Sequence, residues 1–340
     1  MTGTVTEATS PAAATATVSD DRHRVLRVDG LTVRFRLRDA LVHAVTDLRL
    51  TLRRGELLAV VGESGCGKSV LAHTLLGLLP RNATVSGHAY LQVSPDADPV
   101  DLIHCGERRL AREVRGRQLG LIPQSPATAL TPVRTGRRLL EETLRAHGHS
   151  REQAAAQAEQ LAVDVGLNPH DLDRYPFELS GGMAQRLATA LALASDPAVL
   201  IADEPTTGLD RSLVDHTLDL LRRRCDAGHA VLLITHDLSA ARRVADTVAV
   251  MYASRIVERQ PADQFFSAPA HPYSAALLDA LPDRKFQPIP GHPPMLTALP
   301  AGCAYAPRCP LAIDRCGALP ADRIVDAGTV ACHRPRGASA

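Results

Sequence analysis

Apolar and polar residues alternate early in the chain, in Val25-Leu26-Arg27-Val28, Leu31-Thr32-Val33-Arg34-Phe35, His43-Ala44-Val45 and Leu48-Arg49-Leu50-Thr51-Leu52. A period of two predicts strands with one buried face, here an antiparallel β-layer. The pattern then changes. Glu56-Leu57-Leu58-Ala59-Val60-Val61 reads as a buried strand, and residues 70–79 as an apolar helix. Between Gly87 and Gln124 the signal weakens, with strands expected at 89–93 and 119–122. Helix formers dominate from 137 to 166, and 151–162 reads as one helix in an insert that ends near Pro176. Strand and helix then alternate: a helix at 183–194, a strand at 199–202, a helix at 211–226, and strands at 230–234 and 247–251. Such alternation predicts a largely parallel sheet. Beyond about Pro261 prolines cluster and cysteines follow, which reads as a separate appendage. The expected division is a tail over 1–23, a core over 24–265 with a helical subdomain at about 125–180, and an extension over 266–340.

Composition narrows the classes. The chain has 340 residues, 45% hydrophobic and 22% charged, ample for a large core. A net charge of +1 gives no electrostatic footprint for nucleic acid. No apolar run approaches the roughly 18–20 residues that span a bilayer. Residues 1–20 are rich in Thr and Ala, without a basic start or an apolar h-region, and read as a disordered tail rather than a signal peptide. The expectation is a cytoplasmic chain whose membrane role is peripheral, in which seven cysteines argue against disulfides.

The chemistry begins at Gly62-Glu63-Ser64-Gly65-Cys66-Gly67-Lys68-Ser69, which matches the phosphate-cradling pattern G-x-x-x-x-G-K-[S/T] between the buried strand and the apolar helix. Its glycines let backbone N–H groups at a helix N-terminus wrap an anion. Lys68 would reach the β- and γ-phosphates, and Ser69 would ligate Mg²⁺. Of 38 Lys plus Arg residues only Lys68 and Lys285 are lysines, so a compact ammonium is kept here against a strong arginine bias. Val199-Leu200-Ile201-Ala202 delivers Asp203 and Glu204 at a strand end, Asp203 placed to hold Mg²⁺ through water and Glu204 to act as general base. Leu179-Ser180-Gly181-Gly182 offers a second helix N-terminus of the phosphate-binding kind, with Ser180 as cap. One γ-phosphate does not need two such cradles from one subunit.

Together with Gln124, Gly208-Leu209-Asp210 and Thr235-His236-Asp237, these motifs resemble the ATP-binding subunit of ABC transporters over roughly residues 24–335. The resemblance implies an α/β P-loop NTPase cassette, with a parallel-sheet core, an antiparallel β-layer, a helical subdomain and a small Cys-containing C-terminal extension. It implies head-to-tail pairing, in which the Ser180-Gly181-Gly182 signature completes the partner's site. It also assigns Gln124 to Mg²⁺, the attacking water and the membrane subunit, Asp210 to the dimer interface, and His236 to the γ-phosphate. Phe35 matches the position whose ring stacks on adenine, although an aromatic in a β-layer is core at least as often.

A finer resemblance is to the peptide/nickel importer ATPases, carried by Gly62-Glu63-Ser64-Gly65, Ile201-Ala202-Asp203-Glu204-Pro205-Thr206-Thr207, His271-Pro272-Tyr273-Ser274, and the tail with Cys303, Cys309, Cys316 and Cys332-His333. Ala184, Thr131 and Gly208 depart from that group's usual residues without removing a catalytic group. The implied partners are two membrane permeases, a second ATPase (itself or a paralogue) and an extracytoplasmic substrate-binding protein, at the cytoplasmic face of the membrane and without nucleic acid. The implied cargo is peptide, with nickel or another small solute as the alternative, and a soluble ATPase of DNA repair or translation as a more distant one. In the tail, Cys303-x5-Cys309-x6-Cys316-x15-Cys332 lies in a Pro-rich segment that cannot easily build its own core, so a metal staple is expected. Four thiolates suit zinc or a [4Fe–4S] cluster, and plain buried thiols are the other reading; the resemblance implies the iron–sulfur cluster. Cys66, Cys105 and Cys225 read as incidental, with Cys66 open to thiol reagents.

Overall fold

The computed structural model describes residues 23–336, so the expected tail lies outside the described residues apart from His23. β1 (Arg24–Arg36) and β2 (Leu41–Arg53) pair antiparallel. β3 (Leu57–Val61) and α1 (Lys68–Leu75) flank the Gly-rich loop. β4 (Ala83–Leu91) and β5 (Val100–Asp101) complete a four-stranded antiparallel layer in the order β2-β1-β4-β5. The short turn α2 (Glu107–Arg109) and β6 (Leu119–Ile122) lead to a group of helices: α3 (Pro126–Ala129), α4 (Gly136–Ala146), α5 (Arg151–Asp164) and α6 (Gly181–Leu193). The alternating part follows as β7 (Val199–Asp203), α7 (Arg211–Asp226), β8 (Ala230–Thr235), α8 (Leu238–Val244) and β9 (Thr247–Tyr252). β10 (Arg255–Pro261), α9 (Ala262–Ser267), α10 (Pro272–Asp279), β11 (Arg323–Val325) and β12 (Gly328–Val330) finish the chain.

The main sheet has eight strands in the order β11-β12-β10-β9-β3-β8-β7-β6. β9, β3, β8, β7 and β6 run parallel, as the alternation predicts. The Cys-containing tail is no detached appendage, because β12 pairs with β10 through Glu258–Val330 and Arg259–Thr329 and so extends this sheet. Four apolar clusters share the sheet, the smallest around Val330 of β12 with Ala270 and Cys332. Leu58 and Val60 of β3 face the antiparallel layer and α1, while Ala59 and Val61 face α8 and the tail; Leu57 joins a third cluster around the helical subdomain. That alternation is the period of two in a strand buried on both faces.

Local chemistry explains where the elements stop. The first two alternating runs belong to one continuous strand and the next two to another, with Gly30 (φ +61°) and Asp47 (φ +48°) at irregularities rather than at breaks. α1 ends at Leu75 and not near 79, because Gly77 turns left-handed (φ +62°) and Leu78 N–H bonds back to His73 O at 2.8 Å. α5 starts on a capping box: Ser150 Oγ accepts from Gln153 N–H, and Gln153 Oε1 from Ser150 N–H.

Candidate active site

The loop between β3 and α1 is shaped by backbone that only glycine allows. A Cβ on Gly62 (φ +153°) would lie 2.1 Å from Met251 O, and one on Gly67 (φ +113°) 2.1 Å from Ala44 O. α1 opens at Lys68 with no side-chain cap, which leaves its first N–H groups for an anion. The buried Lys68 ammonium donates to Gly62 O at 2.7 Å and Glu63 O at 3.1 Å, inside the curve of the loop. Ser64 and Gly65 are exposed at its rim.

Strand order delivers the remaining groups. Ser69 Oγ donates to Asp203 Oδ1 at 3.0 Å, so the two oxygens expected to serve Mg²⁺ converge from α1 and β7. Burial raises the Asp203 carboxyl above its usual range, against the opposing pull of the Ser69 hydrogen bond. Glu204 follows β7 in a left-handed conformation (φ +50°), its N–H bonded to Ile234 O at 2.8 Å. For a residue with a side chain this is local strain, set where β7 and β8 end together. The Glu204 carboxylate, buried, lies 2.7 Å from His236 Nδ1 and accepts from Thr207 Oγ1 at 3.4 Å. A carboxylate backed by an imidazole at a strand end has the make-up of a general base.

Among the described residues, no hydrogen bond links the other expected residues to this group. Gln124 is exposed in the loop after β6, and the neighbouring Pro123 O accepts from Gln185 Nε2 at 3.3 Å, which ties that loop to α6. Ser180 caps α6 by accepting from Met183 N–H at 3.3 Å. Ser180 and Gly181 are exposed, with open space around a Cβ on Gly181. Asp210 caps α7, accepting from Ser212 Oγ at 2.8 Å and Leu213 N–H at 3.1 Å; the Ser212 bond first, then the backbone, hold its carboxyl below the usual range. Phe35 is half-buried against the core of the antiparallel layer.

Glu63 and Cys66 differ from expectation. The Glu63 N–H donates to the Tyr273 hydroxyl at 3.0 Å, and its carboxylate pairs with Arg308, so its N–H and its carboxylate are engaged by the tail. Arg308 escaped the sequence reading, and Tyr273 entered it only within the His271-Pro272-Tyr273-Ser274 resemblance; in the structure Tyr252, Tyr273 and Tyr305 form one aromatic cluster beside Arg308. Cys66 is buried beneath the loop and burial raises its thiol, so it is a poor target for thiol reagents rather than an open one.

Cys303, Cys309, Cys316 and Cys332 line one small cavity together with His271 and His333. Burial raises the Cys303 and Cys309 thiols, and pushes Cys332 up to about 11. Among the described residues the one His/Cys/Asp/Glu trio with all ligand atoms within 4.8 Å is elsewhere, His88, Asp101 and His104. There Asp101 Oδ2 lies 2.7 and 2.9 Å from the two imidazoles while Oδ1 accepts from the N–H groups of Ala89 and Ile103, so hydrogen bonding across β4 and β5 accounts for it. A cavity of about 1130 Å³ lies away from the loop, between β1–β2 and the tail.

Comparison with known proteins follows the same lines. A family model described as ABC transporter matches residues 45–207, and one described as oligopeptide/dipeptide transporter, C-terminal region, matches 257–316. The oligopeptide transport ATP-binding protein OppD of Salmonella typhimurium is 39% identical over 321 residues, covering 92% of this chain and 94% of that one. Its namesake in Escherichia coli K12 is 38% identical over 321 residues, with 92% and 93% covered. A dimeric ATP-binding cassette in a post-hydrolysis state bound to ADP and Pi matches in fold with a TM-score of 0.63 at 23% identity, over 70% of this chain and 98% of that one. No helix among the described residues is long and apolar enough to cross a membrane. With a P-loop cassette and relatives that align over nearly their whole length, this chain belongs to the ABC transporter ATP-binding proteins, in the branch that carries the oligopeptide/dipeptide transporter C-terminal region.

Proposed function

We propose that this chain is the ATP-hydrolysing, energy-coupling subunit of an ABC importer for di- or oligopeptides. It works at the cytoplasmic face of the membrane, paired with a second ATPase on two permeases that receive cargo from a binding protein. The observation that carries the reading is the union in one chain of the Lys68–Ser69–Asp203–Glu204–His236 set with the oligopeptide/dipeptide transporter C-terminal region. Lys68 and the N-terminus of α1 would hold the phosphates, and Ser69, Asp203 and Gln124 would hold Mg²⁺, whose charge would offset that of the phosphates. Glu204 takes the proton of the attacking water, and His236 keeps that carboxylate aimed while touching the γ-phosphate. Ser180, Gly181, Gly182 and Asp210 are exposed or half-exposed, which supports their use by a partner subunit.

The four tail thiols are proposed to hold a [4Fe–4S] cluster as a structural staple. The support is their shared cavity, which all four line.

The test is uptake of a labelled dipeptide and of radioactive nickel in a strain lacking this chain, complemented with wild type or with Lys68→Ala. The account expects peptide uptake to be lost and restored only by wild type. Loss of nickel uptake alone would move the chain to the metal-importing branch.

A further inference from the structure

Glu63 sits in the phosphate-cradling loop, yet the C-terminal tail holds it from two sides. Its N–H donates to the Tyr273 hydroxyl. Its carboxylate receives the Arg308 guanidinium as a fork, Nη1 to Oε2 at 2.9 Å and Nη2 to Oε1 at 3.1 Å. Arg308 is itself fixed. Nε donates to Pro290 O at 2.8 Å, and Nη1 donates also to the Tyr252 hydroxyl at 3.1 Å. The guanidinium lies 5.8 and 5.9 Å from the Tyr252 and Tyr305 ring centres, and the side chain is only 5% exposed. A planar fork of this kind matches a carboxylate in both geometry and charge.

A carboxylate in the loop that receives a triphosphate is an electrostatic liability. Unpaired, it would repel the incoming polyanion at short range, where water screens poorly. It would also be free to attract the Lys68 ammonium, which already donates to Gly62 O and Glu63 O next door. Arg308 removes both effects at once, by neutralising Glu63 and by turning its carboxylate toward the tail.

We propose that Arg308 is a positioning residue of the nucleotide site, which neutralises and holds Glu63 so that the loop and Lys68 stay available to the phosphates. The tail, 245 residues further along the chain, is then a working part of the ATP site. Cys309 follows Arg308 directly and lines the thiol cavity, so the same turn serves both features. The inference rests on the ATP-site reading and deepens it.

The experiment measures binding of a fluorescent ATP analogue with Mg²⁺ to the full chain, together with KM and kcat for ATP. Arg308→Gln leaves Glu63 negative and is expected to raise the Kd about tenfold. Glu63→Gln removes the charge and is expected to raise it by no more than about threefold. The double variant should return to the level of Glu63→Gln, because the neutraliser is needed only while the charge is present. A passive staple predicts the opposite: the double variant would be no better than Arg308→Gln, and that result would overturn the proposal. If Arg308→Gln does not fold, Arg308→Lys keeps the charge and loses the fork. A KM raised more than threefold with kcat nearly kept then supports positioning, while a lower melting temperature at unchanged KM overturns it. Lys68→Ala binding the analogue as tightly as wild type would overturn the site assignment, and the proposal with it.

Discussion

Replacing Glu204 by Gln removes one property, basicity, and leaves nearly everything else in place. The side chain keeps its volume at a buried position (6% exposed), and the amide oxygen can still meet His236 Nδ1, now 2.7 Å from Oε2. The left-handed backbone at residue 204 and its N–H bond to Ile234 O do not involve the side chain. Lys68, Ser69 and Asp203 are untouched, so Mg²⁺–ATP binding should stay within about 1 kcal/mol of wild type. A positioned general base is worth roughly 10²–10⁴-fold in rate, about 3–5 kcal/mol of barrier. The carboxylate leans on one imidazole and one hydroxyl, an anchored setting that places the loss toward the upper end of that range. The assay is single-turnover phosphate release after rapid mixing with labelled ATP, with gel filtration to follow the paired state. Release should slow at least a hundredfold while ATP is retained and the closed dimer accumulates. Undiminished single-turnover release would refute the base assignment, and loss of ATP binding would refute the claim that the side chain acts only in chemistry.

Other outcomes follow from the same geometry. Gly67→Ala places a methyl 2.1 Å from Ala44 O at φ +113°, and should destabilise the protein by at least about 2 kcal/mol and lower ATP affinity; a thermal melt within a degree of wild type would contradict the close approach. At pH 8 the folded chain should resist alkylation at Cys66, raised by burial, and at Cys225, pushed up to about 12, with both labelled once urea unfolds it; labelling of native Cys66 within minutes would contradict the packing beneath the loop. Cys309→Ser should lose bound iron and loosen the tail without abolishing Mg²⁺–ATP binding, and iron content equal to wild type would count against the cluster.

The parts of the site built from neighbours in sequence were open to a sequence reading. Gly62 to Ser69, flanked by a two-face-buried strand and an apolar helix, announces itself, and Asp203-Glu204 at a strand end is nearly as plain. What escaped depends on distant pairing. Nothing in the spacing shows that Arg308 meets Glu63 across 245 residues, because an ion pair leaves no periodic trace. The joining of β12 to β10 was hidden for a similar reason: Gly328–Val330 is three residues long, too short to carry a pattern, and a Pro-rich neighbourhood reads as irregular. Cys66 read as open to thiol reagents, whereas the folded loop buries it, and burial outweighs the pull of Lys68 on its thiol. Element ends were missed where one glycine decided them, as at Gly77.

The central claim, that this P-loop site drives peptide import, is tested most directly by ATP hydrolysis coupled to cargo. Phosphate release would be followed in inside-out membrane vesicles from cells expressing the transporter, with peptide-loaded or peptide-free binding protein trapped inside, comparing wild type with Lys68→Ala. The account predicts release that rises with loaded binding protein and vanishes in the variant. Hydrolysis indifferent to peptide at every concentration, or persisting at the wild-type rate in Lys68→Ala, would contradict it.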